Sequence, residues 1–278
     1  VTAVLAAPAA RLDEALVDAY LERIGAERPA RPDLRALAEL QERHVLSVPF
    51  ENLDYHLDRE IHLDARVVDK IVRDGRGGAC YEVNPAFGLL LEALGYRVRI
   101  LAARVRRPDG LGAPLGHLLL RVDVDGVGHL VDVGFRRVSR RPLPLDTTAP
   151  QPDAEGVFAV TEPFDGEQDL LLDGAPLYRV DLRERDLGQF RPSLWWFRTS
   201  PDSPFLHDLF CSLPTADGRV TLKGTRLTLR TADGQRTVEE LDGDEAVRDA
   251  YLTHFGIALA RLPRIPVLPA GSSGIQVE

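Results

Sequence analysis

The chain has 278 residues, enough for one large domain or two or three small ones around a substantial core. Its net charge of −9 argues against a surface built to grip nucleic acid, because phosphate contacts need clustered cations. Two cysteines, Cys80 and Cys211, are too few for a disulfide framework, and no apolar run approaches the roughly 20 residues of a membrane-spanning helix. A reducing cytoplasm is therefore expected, with a single Cys80–Cys211 bridge left open. The positive charge is almost all arginine, Lys70 and Lys223 being the only lysines, which together with abundant Ala and Leu suggests a GC-rich genome.

The opening VTAVLAAPAA is apolar but short and has no basic residue before it, so a signal peptide is not expected. In LDEALVDAYLERIGA, Leu12, Leu16, Ala19, Tyr20 and Ile24 recur at helical spacing, with Gly25 as a stop. PDLRALAELQERHVLSV begins a second helix at Pro32, with Leu34, Leu37, Leu40 and Val45 on one stripe until Pro49 breaks it. PFENLDYHL then reads as a connection, and a short helix is expected from about Ala65 to Val72. After a glycine-rich turn, Phe87, Leu90, Leu91 and Leu94 mark another helix, ending at Gly95. From Arg97 the pattern shortens to alternating segments, RVRILAARV, HLLLRVDV, GHLVDV, GVFAVTE, LYRVDL, RVTLKG, TRLTLRT and QRTVEEL, punctuated by Asp-Gly and Gly-X pairs. These predict a largely antiparallel β region. The helix DEAVRDAYLTHFGI and a proline-rich irregular tail close the chain. Helices, then strands, then a short mixed end give an α+β class.

The stretch RGGACYEVN puts Cys80 just after two glycines and at the start of a helix. A free thiol titrates at about 8.5, and helix amides or an adjacent imidazolium lower that value. A lone cysteine is also commonly a buried small hydrophobe, so both readings stay open on this stretch alone. Hairpin arithmetic supplies a partner. HLLLRVDVDGVGHLVDV turns at Asp125-Gly126, which pairs Val124 with Val127 and, counting outward, Leu119 with Asp132. His117 is two residues beyond Leu119 on the same face, making it a diagonal neighbour of Asp132 at a Cα separation of about 7–8 Å. His129 falls on the opposite face. Asp132 sits in the apolar run HLVDVGF, where an unpaired carboxylate is costly, and His117 resolves that cost. A nucleophile, a base and an orienting carboxylate are thus available if the Cys80 helix packs beside the His117 strand.

These residues resemble the arylamine N-acetyltransferase family, and the similarity runs through most of the chain. YLERIGAERPARPDLRALAELQERHVLSVPFENLD resembles its N-terminal region. Arg76, Gly77, Gly78, Cys80, Tyr81, Glu82 and Asn84 match its Arg-Gly-Gly-X-Cys-aromatic-Glu-X-Asn motif, GHLLLRVDVDGVGHLVDVGF carries its His and Asp, and SPFLHDLFCSLPTADGRVTL resembles the opening of its third domain. The resemblance implies a cysteine-protease-like fold of helical bundle (1–90), β-barrel (91–200) and α/β lid (201–278), with the cleft between the first two. It also implies a ping-pong reaction in which Cys80 takes an acyl group from a thioester, usually acetyl-CoA, and passes it to an aromatic amine or hydrazine. His117 manages the protons and Asp132 holds His117. No bound cofactor and no metal are implied. Phe50, Tyr81, Gly134, Phe135 and Arg136 are the expected substrate-binding residues, and Glu51, Arg76, Gly77 and Gly78 the expected support of the site.

Two departures stand out. The family commonly has glycine after Phe135, whereas this chain has Arg136 and then Arg137, Arg140 and Arg141, which could bind phosphate directly or suit another donor. Pro85 also stands where the family commonly has glycine, early enough in the helix to cost little. A branch of the same family, the bacterial amide synthases of ansamycin-type pathways, takes a polyketide from an acyl-carrier-protein thioester and closes it as a macrolactam. The sequence leaves the two donors open, and with them a carrier protein as partner. It also leaves open a thiol hydrolase using the same three residues, and a non-catalytic binding protein that kept the fold. Neither a nucleic acid nor a membrane is an expected partner. Trp195 and Trp196 could line an arylamine pocket but are more commonly plain core, Cys211 reads as structural, and His44, His56, His62, His207 and His254 show no metal-ligand spacing.

Overall fold

The structure, a computed structural model, describes residues 12–268. The opening VTAVLAAPAA stretch, with the expectation about a signal peptide, and the end of the proline-rich tail lie outside the described residues. Helix α1 (Glu14–Ile24) starts where the Asp13 carboxylate accepts the Leu16 N–H at 2.8 Å and stops at Gly25 with φ 65°. Helix α2 (Leu34–Ser47) is capped likewise by Asp33 on the Ala36 N–H at 2.9 Å, and Pro49 holds Val48 extended. The segment expected as a plain connection holds two short elements, strand β1 (Phe50–Glu51) and helix α3 (Leu53–His56). Helix α4 (Arg66–Val72) leads into α5 (Cys80–Ala93), which runs on through Pro85.

Helix α5 is buried on nearly every side rather than along one stripe, since it packs on α1 and α4 on one flank and on two strands of the main sheet on the other. That sheet contains β2 (Arg97–Arg107), β3 (Gly110–Leu111), β4 (His117–Val124), β5 (Val127–Val131), β6 (Leu143–Pro144), β7 (Gln151–Asp153), β8 (Gly156–Val160), β9 (Glu167–Leu172) and β10 (Ala175–Asp181). The strand order is β6-β5-β4-β2-β10-β9-β8-β7, with β3 added to β2 and every pair antiparallel. It curls into a nearly closed barrel, and the buried Gln168 side chain on β9 donates to Leu145 O at 3.1 Å and Thr161 O at 2.9 Å, tying the region after β6 to β9. Strand β4 is buried on both faces at its start: Leu119 joins the barrel interior with Leu130, Phe158 and Tyr178, while Leu118 and Leu120 join the helical core with Phe87 and Leu90.

The rest of the described chain forms helices α6 (Arg191–Thr199) and α7 (Pro204–His207), strands β11 (Phe210–Thr215), β12 (Gly218–Lys223), β13 (Arg226–Thr231) and β14 (Arg236–Glu240), and helix α8 (Gly243–Phe255). Strand β1 forms one edge of this second sheet, Phe50 pairing with Ser212 and Glu51 with Cys211, so a segment beside the Cys80 motif is stitched to the C-terminal part. A third apolar cluster gathers Leu53, Cys211, Leu222, Tyr251 and Phe255 there. Among the described residues, no helix is long and apolar enough to cross a membrane.

Candidate active site

Cys80 is the first residue of α5, and the two glycines before it explain how it arrives there. A side chain at Gly77 would place its Cβ 1.8 Å from Pro49 O, which no rearrangement of a rotamer can relieve. With that space left empty, Gly78 N–H donates to Pro49 O at 3.3 Å and Glu51 N–H donates to Gly78 O at 3.2 Å. The segment is thereby zipped onto β1, and α5 starts at a fixed point with Cys80 as its first residue.

The β4–β5 hairpin turns at Asp125 (φ 51°) and Gly126 (φ 84°), both left-handed as a type I′ turn requires. The ladder runs from Val124–Val127 to Leu120–Val131, which puts Asp132 one step beyond, opposite Leu119. His117 Nε2 and Asp132 Oδ2 lie 2.7 Å apart, both side chains buried. With Nε2 turned to the carboxylate, Nδ1 is the ring nitrogen left to face Cys80, whose sulfur is near enough to act on the charge of the imidazole. Burial by itself pushes the His117 ring toward neutrality. The charges of Asp132 and Cys80, with hydrogen bonds to both, outweigh it and hold the ring at about 10. Burial likewise raises the Asp132 carboxyl, but the His117 charge and hydrogen bonds from His117, Asn84 and Gly134 bring it below its ordinary value. The arrangement is an imidazolium held between a carboxylate and a sulfur, the counter-charge that a thiolate nucleophile needs.

Two residues of this arrangement are absent from the sequence-based expectations. Tyr178 on β10 donates its hydroxyl to Asp132 Oδ2 at 3.0 Å and lies 5.0 Å, centroid to centroid, from the His117 ring. Asn84, one helical turn after Cys80, donates to Asp132 Oδ1 at 2.9 Å and to Leu118 O at 2.6 Å, and accepts the Val133 N–H at 2.8 Å. Nothing in the alternation of LYRVDL marks Tyr178, which is 46 residues from its partner. Asn84 was visible only as a motif letter.

A cavity of about 490 Å³ opens over Cys80 and His117. Phe50, Gly134, Phe135 and Arg136 line it, with Phe197, Phe205 and Phe210 from the C-terminal part. Phe135 packs against His117, the ring centroids 5.1 Å apart and the planes tilted by 60°. Gly134 has a packing reason besides its place on the wall, since a Cβ there would lie 2.7 Å from Cys80 Cα. Tyr81 is not on the wall: it is 1 % exposed, donates to Leu115 O, and packs against Phe190 and Phe197. The arginine run divides as well. Arg136 and Arg137 reach the cavity, but Arg140 is buried and donates to Thr215 O at 2.9 Å, while Arg141 borders a separate surface groove. Arg106, Arg107 and Lys223, from two other strands, also line the cavity.

Beneath the site is a cluster of five charges, four of them buried and Lys70 partly so. Arg76 binds Glu51 at 2.8 Å and Asp54 at 3.0 Å, and Lys70 reaches Asp54 at 2.7 Å, Glu82 at 2.5 Å and Glu51 at 3.7 Å. Cys211 is buried opposite Glu51 in the second sheet, and both cysteines are free thiols, so the bridge left open by the sequence is not formed. Among the described residues, no group of three or more His, Cys, Asp or Glu side chains converges as a metal site.

Known proteins place this geometry. A family model described as N-acetyltransferase matches residues 33–263. The chain is 36% identical over 259 residues to the pineal gland isozyme of arylamine N-acetyltransferase from Gallus gallus, covering 82% of this chain and 89% of the relative. It is 35% identical to the arylamine N-acetyltransferase of Mycobacterium bovis, covering 87% and 89% respectively. Among solved structures, arylamine N-acetyltransferase from Salmonella typhimurium superposes with a TM-score of 0.83 at 27% identity, covering 88% of this chain and 92% of that one. The Mycobacterium marinum arylamine N-acetyltransferase in complex with CoA gives 0.79 at 32% identity, covering 87% and 92%. With matches of this extent and a thiol, an imidazole and a carboxylate joined in its cleft, the chain belongs to the arylamine N-acetyltransferase family of acyltransferases.

Proposed function

We propose that this protein moves an acyl group from acetyl-CoA to an aromatic amine through an acyl-Cys80 intermediate. The observation that carries the reading is the Cys80 thiol at a helix start, beside an imidazole that a buried carboxylate holds, on the wall of an aromatic-lined cavity. Cys80 gives its proton to His117, whose ring the Asp132 carboxylate holds in its charged form. The sulfur attacks the thioester carbonyl, the C–S bond to coenzyme A breaks, and His117 gives its proton to the leaving thiolate. Sulfur replaces sulfur, so the exchange is nearly balanced in bond energy. The neutral His117 then takes a proton from the amine as its nitrogen attacks acyl-Cys80, and Cys80 leaves as the thiolate, restoring the ion pair. Asp132 keeps the ring oriented throughout. Phe50 and Phe135 would flank the aryl ring, the cluster of Glu51 and Arg76 with Gly77 and Gly78 would hold the platform beneath Cys80, and Gly134 would let the loop approach it.

The five cations on the wall suit a phosphate-bearing donor, and the relatives are named for acetyl transfer. They also suit the phosphopantetheine of an acyl carrier protein, and Arg136 in place of the expected glycine is the observation that keeps a polyketide thioester and macrolactam closure as a second reading. The same reading divides the chain into helical (1–90), barrel (91–200) and lid (201–278) parts, and two free thiols fit a cytoplasmic setting.

Intact mass spectrometry after mixing with acetyl-CoA tests this. One acetyl group should appear on Cys80, vanish in Cys80→Ala, and be released as the anilide when aniline is added. A wild-type protein that stays unmodified sinks the reading. Equal release of free acetate with and without aniline would make it a thiol hydrolase instead. A carrier-bound acyl chain that loads Cys80 faster than acetyl-CoA does would select the second donor.

A further inference from the structure

Glu82, the third residue of α5, has two jobs at once. Its Oε2 accepts the Ala79 N–H at 3.0 Å, closing the helix start immediately before Cys80, and its Oε1 takes Lys70 Nζ at 2.5 Å. A carboxylate in the first turn stabilises a helix, but a negative charge two residues from Cys80 opposes a thiolate there. We propose that Lys70 is a positioning residue for the reaction: it cancels the charge of the carboxylate that caps the Cys80 helix, so the helix start is pinned without disfavouring the thiolate. The proposal rests on the reading of Cys80 as nucleophile and extends it to the layer below.

The charges facing Glu82 come from four elements: Lys70 on α4, Glu51 on β1, Asp54 and Tyr55 on α3, and Arg76 in the segment before α5. Three carboxylates against two cations leave the cluster with one negative charge in excess when all five are ionised. Arg76 directs its bonds to Glu51 and Asp54, so among the described residues Lys70 is the cation bonded to Glu82. Burial pushes the Glu82 carboxyl up, Lys70 pulls it back, and Glu51 and Asp54 push it up again; the net direction is upward, and Lys70 is the group that opposes it. The choice of residue is informative. The chain uses lysine at only two positions, and here a compact ammonium with three donors fits among three carboxylates, where a second planar guanidinium would crowd Arg76.

The pH dependence of Cys80 alkylation by iodoacetamide tests this, since it reads the thiolate directly and needs no acyl donor. Failure here is thereby separable from failure of acyl transfer. Lys70→Met should slow alkylation at pH 6 by about 10-fold, a midpoint displaced upward by about one unit. Glu82→Gln should displace it downward, and Lys70→Met/Glu82→Gln should bring it back toward wild type. Lys70→Arg should keep the wild-type profile while lowering Tm. A purely structural role would lower Tm in all of these without opposite displacements. An unmoved midpoint in Glu82→Gln, which removes charge but keeps shape, or a double variant that does not return, would overturn the proposal.

Discussion

Four donors converge on the two oxygens of Asp132: His117 and Tyr178 on Oδ2, Asn84 and Gly134 N–H on Oδ1. Such a carboxylate is locked in one rotamer and one charge state, which fixes the His117 tautomer from behind. Asp132→Asn would turn an amide donor against His117 or Tyr178 and send the imidazole proton to the wrong nitrogen. Acetyl transfer should fall about 10³–10⁴-fold by analogy with orienting carboxylates elsewhere, measured as initial rates with acetyl-CoA and an arylamine. The stability effect has a sign set by pH. Asp132 is held below its ordinary 3.8, so its contribution is present above that value and lost in acid. His117 is raised from 6.5 to about 10, so its contribution is complete below 6.5 and lost as pH rises through 10. The Tm gap between wild type and Asp132→Asn should therefore be widest between those two ordinary values and close toward pH 10.

At the level of elements, what matters is how α5 is fastened to the barrel, and Asn84 is the fastener. Its amide bonds Leu118 O on β4, the Asp132 carboxylate and the Val133 N–H, all buried, so Asn84→Ala takes the side-chain acceptor from Val133 N–H and one donor each from Leu118 O and Asp132, the carboxylate keeping its three others. A single buried group left unsatisfied costs about 1–3 kcal/mol, so chemical denaturation should show a loss of about that size, with activity lost per folded molecule as well. This junction also marks how far the sequence could be read. The His117–Asp132 contact was legible because a two-residue Asp-Gly turn leaves one register and a strand has one period. The approach of α5 was not, since Leu118 and Leu120 carry no sign that a helix rather than solvent covers them. Strand β9 escaped notice for a different reason: its inward row is Gln168, Leu170 and Leu172, and a buried glutamine at the head of the row masks the alternation. Helix α6 was hidden by its own aromatic sequence, which fits a strand as well as a helix.

For the molecule as a whole, the cavity is a shared product: Phe50 and Cys80 come from the helical part, Arg107, His117 and Phe135 from the barrel sheet, and Phe205, Phe210 and Lys223 from the C-terminal part. Its cations are distributed the same way, which is why a run of arginines in the sequence was a poor guide to them. Most are already engaged: Arg106 faces Asp169 at 3.7 Å, Arg137 faces Asp173 at 3.6 Å, and Lys223 faces Asp208 at 3.0 Å. Arg107 differs. It has no ion pair among the described residues, its Nε, like that of Arg106, is buried without a hydrogen-bond partner there, and burial, against a weaker pull from Asp109, lowers its pKa. A cation held under strain of this kind gains most from an anion, and the diphosphate of the donor is the anion the reaction brings. A charged hydrogen bond is worth about 1.5–3 kcal/mol, so Arg107→Ala should raise KM for acetyl-CoA by about 10-fold or more, with kcat little changed. Added salt should shrink the difference by screening the pair. The decisive comparison is S-acetyl-N-acetylcysteamine, a thioester with no phosphate, on which Arg107→Ala and wild type should behave alike. An equal loss on both thioesters would show that Arg107 supports the wall of the cavity and not the phosphates that pass through it.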